Sequence, residues 1–175
     1  MADVHRDHPG RMSTNALPVW IRATIFMVLV PGAVVGWIPR VIAGPLPPSA
    51  TAPMAVRLLG AGLGAVGWAF LLWCARDFAV RGRGTPAPYD PPLALVTNGL
   101  YRFVRNPMYV AIVGSLLGQA VWYWSRGVAW YALFVAFVFH VRVVLVEEPR
   151  LTQLFGDAFD VYRAGVPRWL PRLPR

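Results

Sequence analysis

The chain has 175 residues, 57% of them hydrophobic and only 14% charged, where a soluble domain carries roughly 25% charged residues. The formal net charge of +9 comes from arginine alone, with no lysine; arginines meeting anionic headgroups explain it better than nucleic acid, which is excluded as a partner. A single cysteine, Cys74, excludes an intrachain disulfide and a multi-cysteine metal site, and no metal centre is expected.

The apolar residues fall in four blocks, each near the roughly 20 residues that cross a bilayer. The expected fold is therefore all-α integral membrane, with about four transmembrane helices plus a C-terminal amphipathic helix. Residues 1–17 form a polar tail that contains Asp3, Asp7 and Pro9. They do not resemble a cleaved signal peptide, so the first apolar block is expected to be a retained helix. His5 and His8 in this tail are expected to be solvated rather than ligands.

An N-terminal transmembrane hairpin is expected over 18–74. Its first helix runs from Pro18 to Ile38, with Trp20 and Trp37 near the two interfaces. Pro31 and Gly32 predict a kink or local weakness inside it. A loop rich in proline follows from Pro39 to Pro53. The second helix runs from Met54 to Cys74, and Gly60, Gly64 and Gly67 predict close helix packing.

A long connection occupies 75–106. Pro86, Pro88, Pro91 and Pro92 keep much of it from being helical, and a loop of this length in a small protein is commonly functional or disordered. The last part, 107–175, holds a second transmembrane hairpin and the C-terminal helix. Asn106 and Pro107 fit the N-cap and first position of the third helix, which ends near Trp124. A turn at Ser125, Arg126 and Gly127 leads to a fourth helix that ends near Val146.

Orientation follows from arginine placement. The connection carries Arg76, Arg81, Arg83, Arg102 and Arg105, and the tail carries Arg150, Arg163, Arg168, Arg172 and Arg175, whereas the other two turns hold Arg40 and Arg126. The arginine-rich side is expected to be cytoplasmic, with both termini inside. In the tail, Leu151, Leu154, Phe155, Ala158, Phe159 and Tyr162 recur at helical spacing. Pro149 would open that helix and Gly165 would close it. It is either a helix lying on the membrane or a lid over a cytoplasmic site.

Three features carry chemistry. The start of the third helix presents unpaired N–H groups that suit a carboxylate, or it is an ordinary helix start with arginine anchors. Glu147 and Glu148 at the end of the fourth helix oppose its dipole. They gain if they begin the next helix, at Pro149, or if they meet a cation, either a bound ligand or Arg102, Arg105 or Arg150. His140 and Arg142 are ionisable groups inside a span; they line the same pocket as Glu147, or else pair with a neighbouring helix and snorkel.

The segments Tyr101-Arg-Phe-Val-Arg-Asn-Pro-Met-Tyr109, Glu147-Glu-Pro-Arg-Leu151, Phe155-Gly156 and Tyr162-Arg-Ala-Gly-Val-Pro-Arg-Trp-Leu-Pro171 resemble the isoprenylcysteine carboxyl methyltransferase family, and more distantly the phospholipid N-methyltransferases. The resemblance covers roughly Leu93 to Pro171. It implies an S-adenosylmethionine-dependent methyltransferase, a bacterial inner-membrane protein with a cytoplasmic active site. The donor-binding residues it implies are Leu95, Val96, Tyr101, Asn106, Pro107, Met108, Tyr109 and Glu147. The catalytic residues expected are Arg142 and His140, for orienting or deprotonating the acceptor, and Glu148, which is also a weaker addition to the donor-binding set. The acceptor is expected to be a lipophilic or membrane-presented small molecule with a carboxylate, amine or thiol, and membrane lipids are the other partners. The alternative is a non-catalytic membrane scaffold or small transporter subunit.

The sequence departs from the family pattern in two places. Asn106 stands where the eukaryotic carboxyl methyltransferases have histidine. Their substrate-facing arginine lies four residues before the first glutamate, and Val143 stands there, with Arg142 beside it. One residue turns a helix by about 100°, so Arg142 does not inherit that role by position alone.

Overall fold

Two prolines, each two residues past the end of a stretch of π-helix, shape this all-helical chain. The computed structural model describes residues 28–45, 52–81 and 95–172, with Ile21 and Ile25 in addition. The N-terminal tail, most of the first ten residues of the first helix, residues 46–51 and residues 82–94 of the connection lie outside the described residues, as do residues 173–175 and the side chains of residues 78–81. Among the described residues all regular structure is helical.

Helix α1 covers Val28–Ala43 and does not stop at Ile38. Within it Gly32–Trp37 is π-helical, so the Ile38 N–H reaches back five residues to the Ala33 carbonyl. That shift takes the usual donor from the Val34 carbonyl. Pro39 has no N–H, so the Val35 carbonyl lacks a donor as well. Both are served from other helices: Gln119 donates to Val35 O at 2.6 Å and Tyr131 donates to Val34 O at 3.2 Å. The helix therefore continues through Pro39 and ends at Gly44, whose φ of +82° suits glycine.

Helix α2 covers Met54–Arg81 and runs about two turns past Cys74, so Asp77 is part of the helix and buried. A 3₁₀ turn at Gly99–Arg102 leads to helix α3, Pro107–Trp122. Helices α2 and α3 make the most extensive contact of the fold, and glycines permit it. A Cβ added at Gly60 would sit 2.5 Å from the Trp122 backbone nitrogen. One added at Gly67 would collide with the Ser115 hydroxyl, and one at Gly118 would sit 2.8 Å from the Gly60 carbonyl. The expected close packing is thus a backbone-to-backbone crossing.

Helix α4 covers Arg126–Phe155. Ser125 caps it by accepting from the Val128 N–H. Its fifth turn, Val143–Glu147, is again π-helical, and the Glu148 N–H bonds to the Val143 carbonyl. As at Pro39, the shifted register accommodates the next residue, Pro149. Pro149 therefore does not open a separate helix. The break comes at Gly156, with φ +50°, before helix α5, Asp157–Gly165. Glu147 and Glu148 accordingly lie inside a continuous helix, not at its end.

Two described helices are long and apolar enough to cross a membrane, Met54–Asp77 and Arg126–Phe155; Val28–Ala43 and Pro107–Trp122 are shorter. Leu58, Leu59, Leu63 and Val66 of α2 and Leu133, Phe134 and Phe137 of α4 are exposed. Such broad apolar faces suit hydrocarbon better than water. Between the helices, Val35, Leu71, Ile112, Leu116 and Ala132 form the core.

Candidate active site

The start of α3 and the far end of α4 meet in one polar cluster. Tyr109 lies in the first turn of α3, and its hydroxyl donates to Glu147 Oε1. Arg142 Nε donates to the same oxygen at 2.8 Å and lies 3.3 Å from the Tyr109 hydroxyl. Arg142 and Glu147 are five residues apart, which a regular α-helix would set on different faces. The π-helical turn Val143–Glu147 stacks them instead. It also buries Val143, which is 1% exposed. Arg142 thereby faces Glu147 although five residues separate them. Both side chains stay accessible, at 37% and 28% exposure.

Glu148 points elsewhere. Arg168 grips it with two hydrogen bonds, Nε to Oε1 at 2.7 Å and Nη2 to Oε2 at 2.8 Å. Arg105 Nη1 approaches Oε1 at 3.1 Å. The hydrogen bonds to Glu148 hold the Arg168 pKa above its ordinary value, while burial pulls that of Arg105 down against the attraction of Glu148. Two guanidiniums around one carboxylate fasten the C-terminal segment to the start of α3. Backbone bonds extend the seam: Arg105 N–H to Pro167 O at 2.9 Å and Arg172 N–H to Phe103 O at 3.0 Å.

Asn106 stands at the N-cap of α3, but its side chain does not cap. It donates to the Arg168 carbonyl at 3.2 Å, so the first-turn N–H groups of Met108 and Tyr109 receive no side-chain cap from it. Behind this turn, Val96 and Tyr101 are buried with Cys74, and Met108 packs against them. Burial, with Cys74 and then Tyr162 next in effect, raises the Tyr101 phenol well above its ordinary pKa. Tyr162 of α5 donates to the Tyr101 carbonyl at 2.7 Å, and burial raises its phenol too. Leu95 is partly exposed beside Val96.

His140 directly follows Phe139, whose ring packs on that of Tyr109 with centroids 4.3 Å apart. Trp169 Nε1 donates to His140 Nδ1 at 3.2 Å. With Nδ1 accepting, the neutral ring carries its proton on Nε2. Next to this pair a groove of about 390 Å³ runs between α3 and α4, with Tyr109, His140 and Trp169 at one end.

The family model for phospholipid methyltransferases matches residues 55–158, well over half of the chain. The chain belongs to the phospholipid methyltransferase family. The match runs from α2 to the start of α5 and takes in Tyr109, Arg142, Glu147 and Glu148. Among curated proteins, the chain is 32% identical over 80 residues to a protein-S-isoprenylcysteine O-methyltransferase of Schizosaccharomyces pombe, covering 46% of this chain and 34% of that one. It is 33% identical over 70 residues to a phosphatidylethanolamine N-methyltransferase of Pyrenophora tritici-repentis, covering 39% of this chain and 8% of the relative. It is 30% identical over 120 residues to the cobalt-zinc-cadmium resistance protein CzcN of Cupriavidus metallidurans, covering 69% and 50%. The matched part thus spans half or less of each relative's length. No solved structure matches the chain.

The structure brings together Tyr109, Arg142 and Glu147, with Pro107 and Met108 in the same turn of α3 as Tyr109. His140 stands beside them along the groove. Leu95, Val96 and Tyr101 form a wall behind that turn. Glu148 is occupied by arginines. The sequence reading assigned no role to Arg168 or Trp169. The adjacent glutamates pointed to a cation or to a helix start at Pro149, but the return of the tail across α3 leaves no local pattern to read.

Proposed function

We propose that the chain transfers a methyl group from S-adenosylmethionine to a lipophilic, membrane-presented acceptor. The observation that carries the reading is the Tyr109–Arg142–Glu147 cluster, built by a π-helical turn against an uncapped helix start, within the span matched by a methyltransferase family. In the same reading α1 to α4 all cross the bilayer, α5 lies along its surface, and the cluster faces the cytoplasm in a bacterial inner membrane.

The residues fit such a donor. The Met108 and Tyr109 N–H groups suit an amino-acid carboxylate. The Tyr109 ring suits a cation, and the half-exposed Glu147 carboxylate suits an ammonium or ribose hydroxyls. Asn106, Pro107, Leu95, Val96 and Tyr101 shape the turn and its back wall. When bound, S-adenosylmethionine supplies an electrophilic methyl, whose bond to sulfur breaks with the electron pair left on sulfur as the acceptor's lone pair attacks. The chain's part is to bind, orient and exclude water. Arg142 would hold a carboxylate or other electron-rich acceptor head near Tyr109. His140, whose Nδ1 accepts from Trp169, would present Nε2 to the acceptor and orient it. Glu148 would act as a positioning residue, fixing the tail through Arg168.

The test is incubation of membranes containing the protein with methyl-labelled donor. Label is expected in the lipid-extractable fraction for the wild type and at least tenfold less for Glu147→Ala. Release by alkali marks an ester; retention marks an N- or S-methyl product. Equal labelling by wild type and variant would overturn the reading.

A further inference from the structure

Trp169 sits in a short tail that the rest of the chain holds from both sides. Before it, Arg168 clamps Glu148 with its side chain, and the Arg168 carbonyl accepts from the Asn106 amide. The Pro167 carbonyl accepts from the Arg105 N–H. After it, the Arg172 N–H bonds to the Phe103 carbonyl. The fixed tail sets the indole beside His140, with ring centroids 6.0 Å apart and planes tilted by 40°. Trp169 Nε1 donates to His140 Nδ1 at 3.2 Å. No other hydrogen bond among the described residues reaches the His140 ring.

His140 lies on an exposed face of α4. A side chain so placed changes rotamer freely when nothing holds it, and a neutral imidazole carries its proton on either nitrogen. An indole N–H can only donate. Its bond to Nδ1 therefore holds the ring in one orientation and selects the tautomer with the proton on Nε2. We propose that Trp169 is a positioning residue for the transfer: it fixes the orientation and tautomer of His140, so that Nε2 is the nitrogen offered to the acceptor. Glu148 then acts on His140 from a distance, through Arg168 and the tail. The part played in transfer rests on the methyltransferase reading, while the pairing of the two rings is independent of it.

The test combines nitrogen NMR of full-length, histidine-labelled protein in detergent micelles at mildly alkaline pH with methyl transfer in membranes. Signals of His140 are assigned by their loss in His140→Ala. In the wild type they should report a neutral ring with its proton on Nε2 alone. Trp169→Phe keeps an aromatic ring but removes the N–H, and its signals should average over both tautomers. With methyl-labelled S-adenosylmethionine varied, the maximal labelling rate should fall at least fivefold in Trp169→Phe, while the KM for the donor stays within twofold. In a His140→Ala background the same substitution should change the residual rate less than twofold, because its effect runs through His140. A wild-type ring with its proton on Nδ1, or exchanging between tautomers, would overturn the proposal, and that result needs no variant to fold. So would a signature or a labelling rate unchanged in Trp169→Phe. If the tautomer shifts as expected and the wild type transfers no label, the methyltransferase reading fails and the pairing stands.

Discussion

Glu147 and Glu148 are neighbours with separate tasks, because each looks toward a different cation. Glu147 joins Tyr109 and Arg142 in the half-exposed cluster, and Glu148 ties Arg168 and Arg105 together. Their adjacency in sequence points to a cation or to a helix start at Pro149, but not to which cation. Arg105 was among the arginines the sequence offered, while Arg168 becomes a partner only because the tail folds back over α3. Arg168→Leu is expected to cost about 2 kcal/mol, in the range of hydrogen bonds to charged groups, concentrated in the tail. Hydrogen exchange should quicken across 166–172 and leave the α2–α3 crossing unchanged. A pH effect belongs to Tyr162. Its phenol is raised by burial above the usual 10, so its contribution is complete below pH 10 and is lost as pH rises from there. Tyr101, whose phenol burial also raises, titrates in the same range, so the comparison with Tyr162→Phe isolates the Tyr162 share. Melting in detergent should fall as pH rises above about 10 in the wild type, and Tyr162→Phe, lower overall, should fall less.

Among the elements, helix starts were more legible than helix ends. Asn106-Pro107 and Ser125 announce α3 and α4 through local chemistry that a sequence displays. Pro39 and Pro149 were read as boundaries because proline lacks an N–H and normally breaks a helix. Neither does so, since a π-helical turn ahead of each shifts the hydrogen-bond register. What absorbs the freed carbonyls at Pro39 is tertiary: Gln119 and Tyr131 from α3 and α4. Gln119→Leu should therefore strand a buried carbonyl and destabilise the protein by about 1–3 kcal/mol, measured by thermal unfolding in detergent. The glycine spacing of α2 was legible as a packing signal, and its partner Gly118 makes it specific. Gly118→Val should destabilise by about 1–3 kcal/mol through overpacking; equal stability of the two proteins would mean that the crossing is not close.

For the whole molecule, the fold class was carried by composition and the family by motifs, whereas the functional geometry needed the packed structure. An apolar chain with clustered arginines leaves few alternatives to a helical membrane protein. No periodicity would place Arg142 on Glu147, because a regular helix separates them. The π-helical turn that brings them together ends two residues before Pro149. The central claim is that the start of α3 and the far end of α4 form a methyl-donor site. Calorimetric titration of S-adenosylmethionine into the purified protein tests it most directly. The wild type should bind at one site, and the Glu147→Ala, Tyr109→Ala double variant should bind at least tenfold more weakly, a loss of about 1.4 kcal/mol or more. No binding by the wild type, or equal binding by the folded variant, would contradict it.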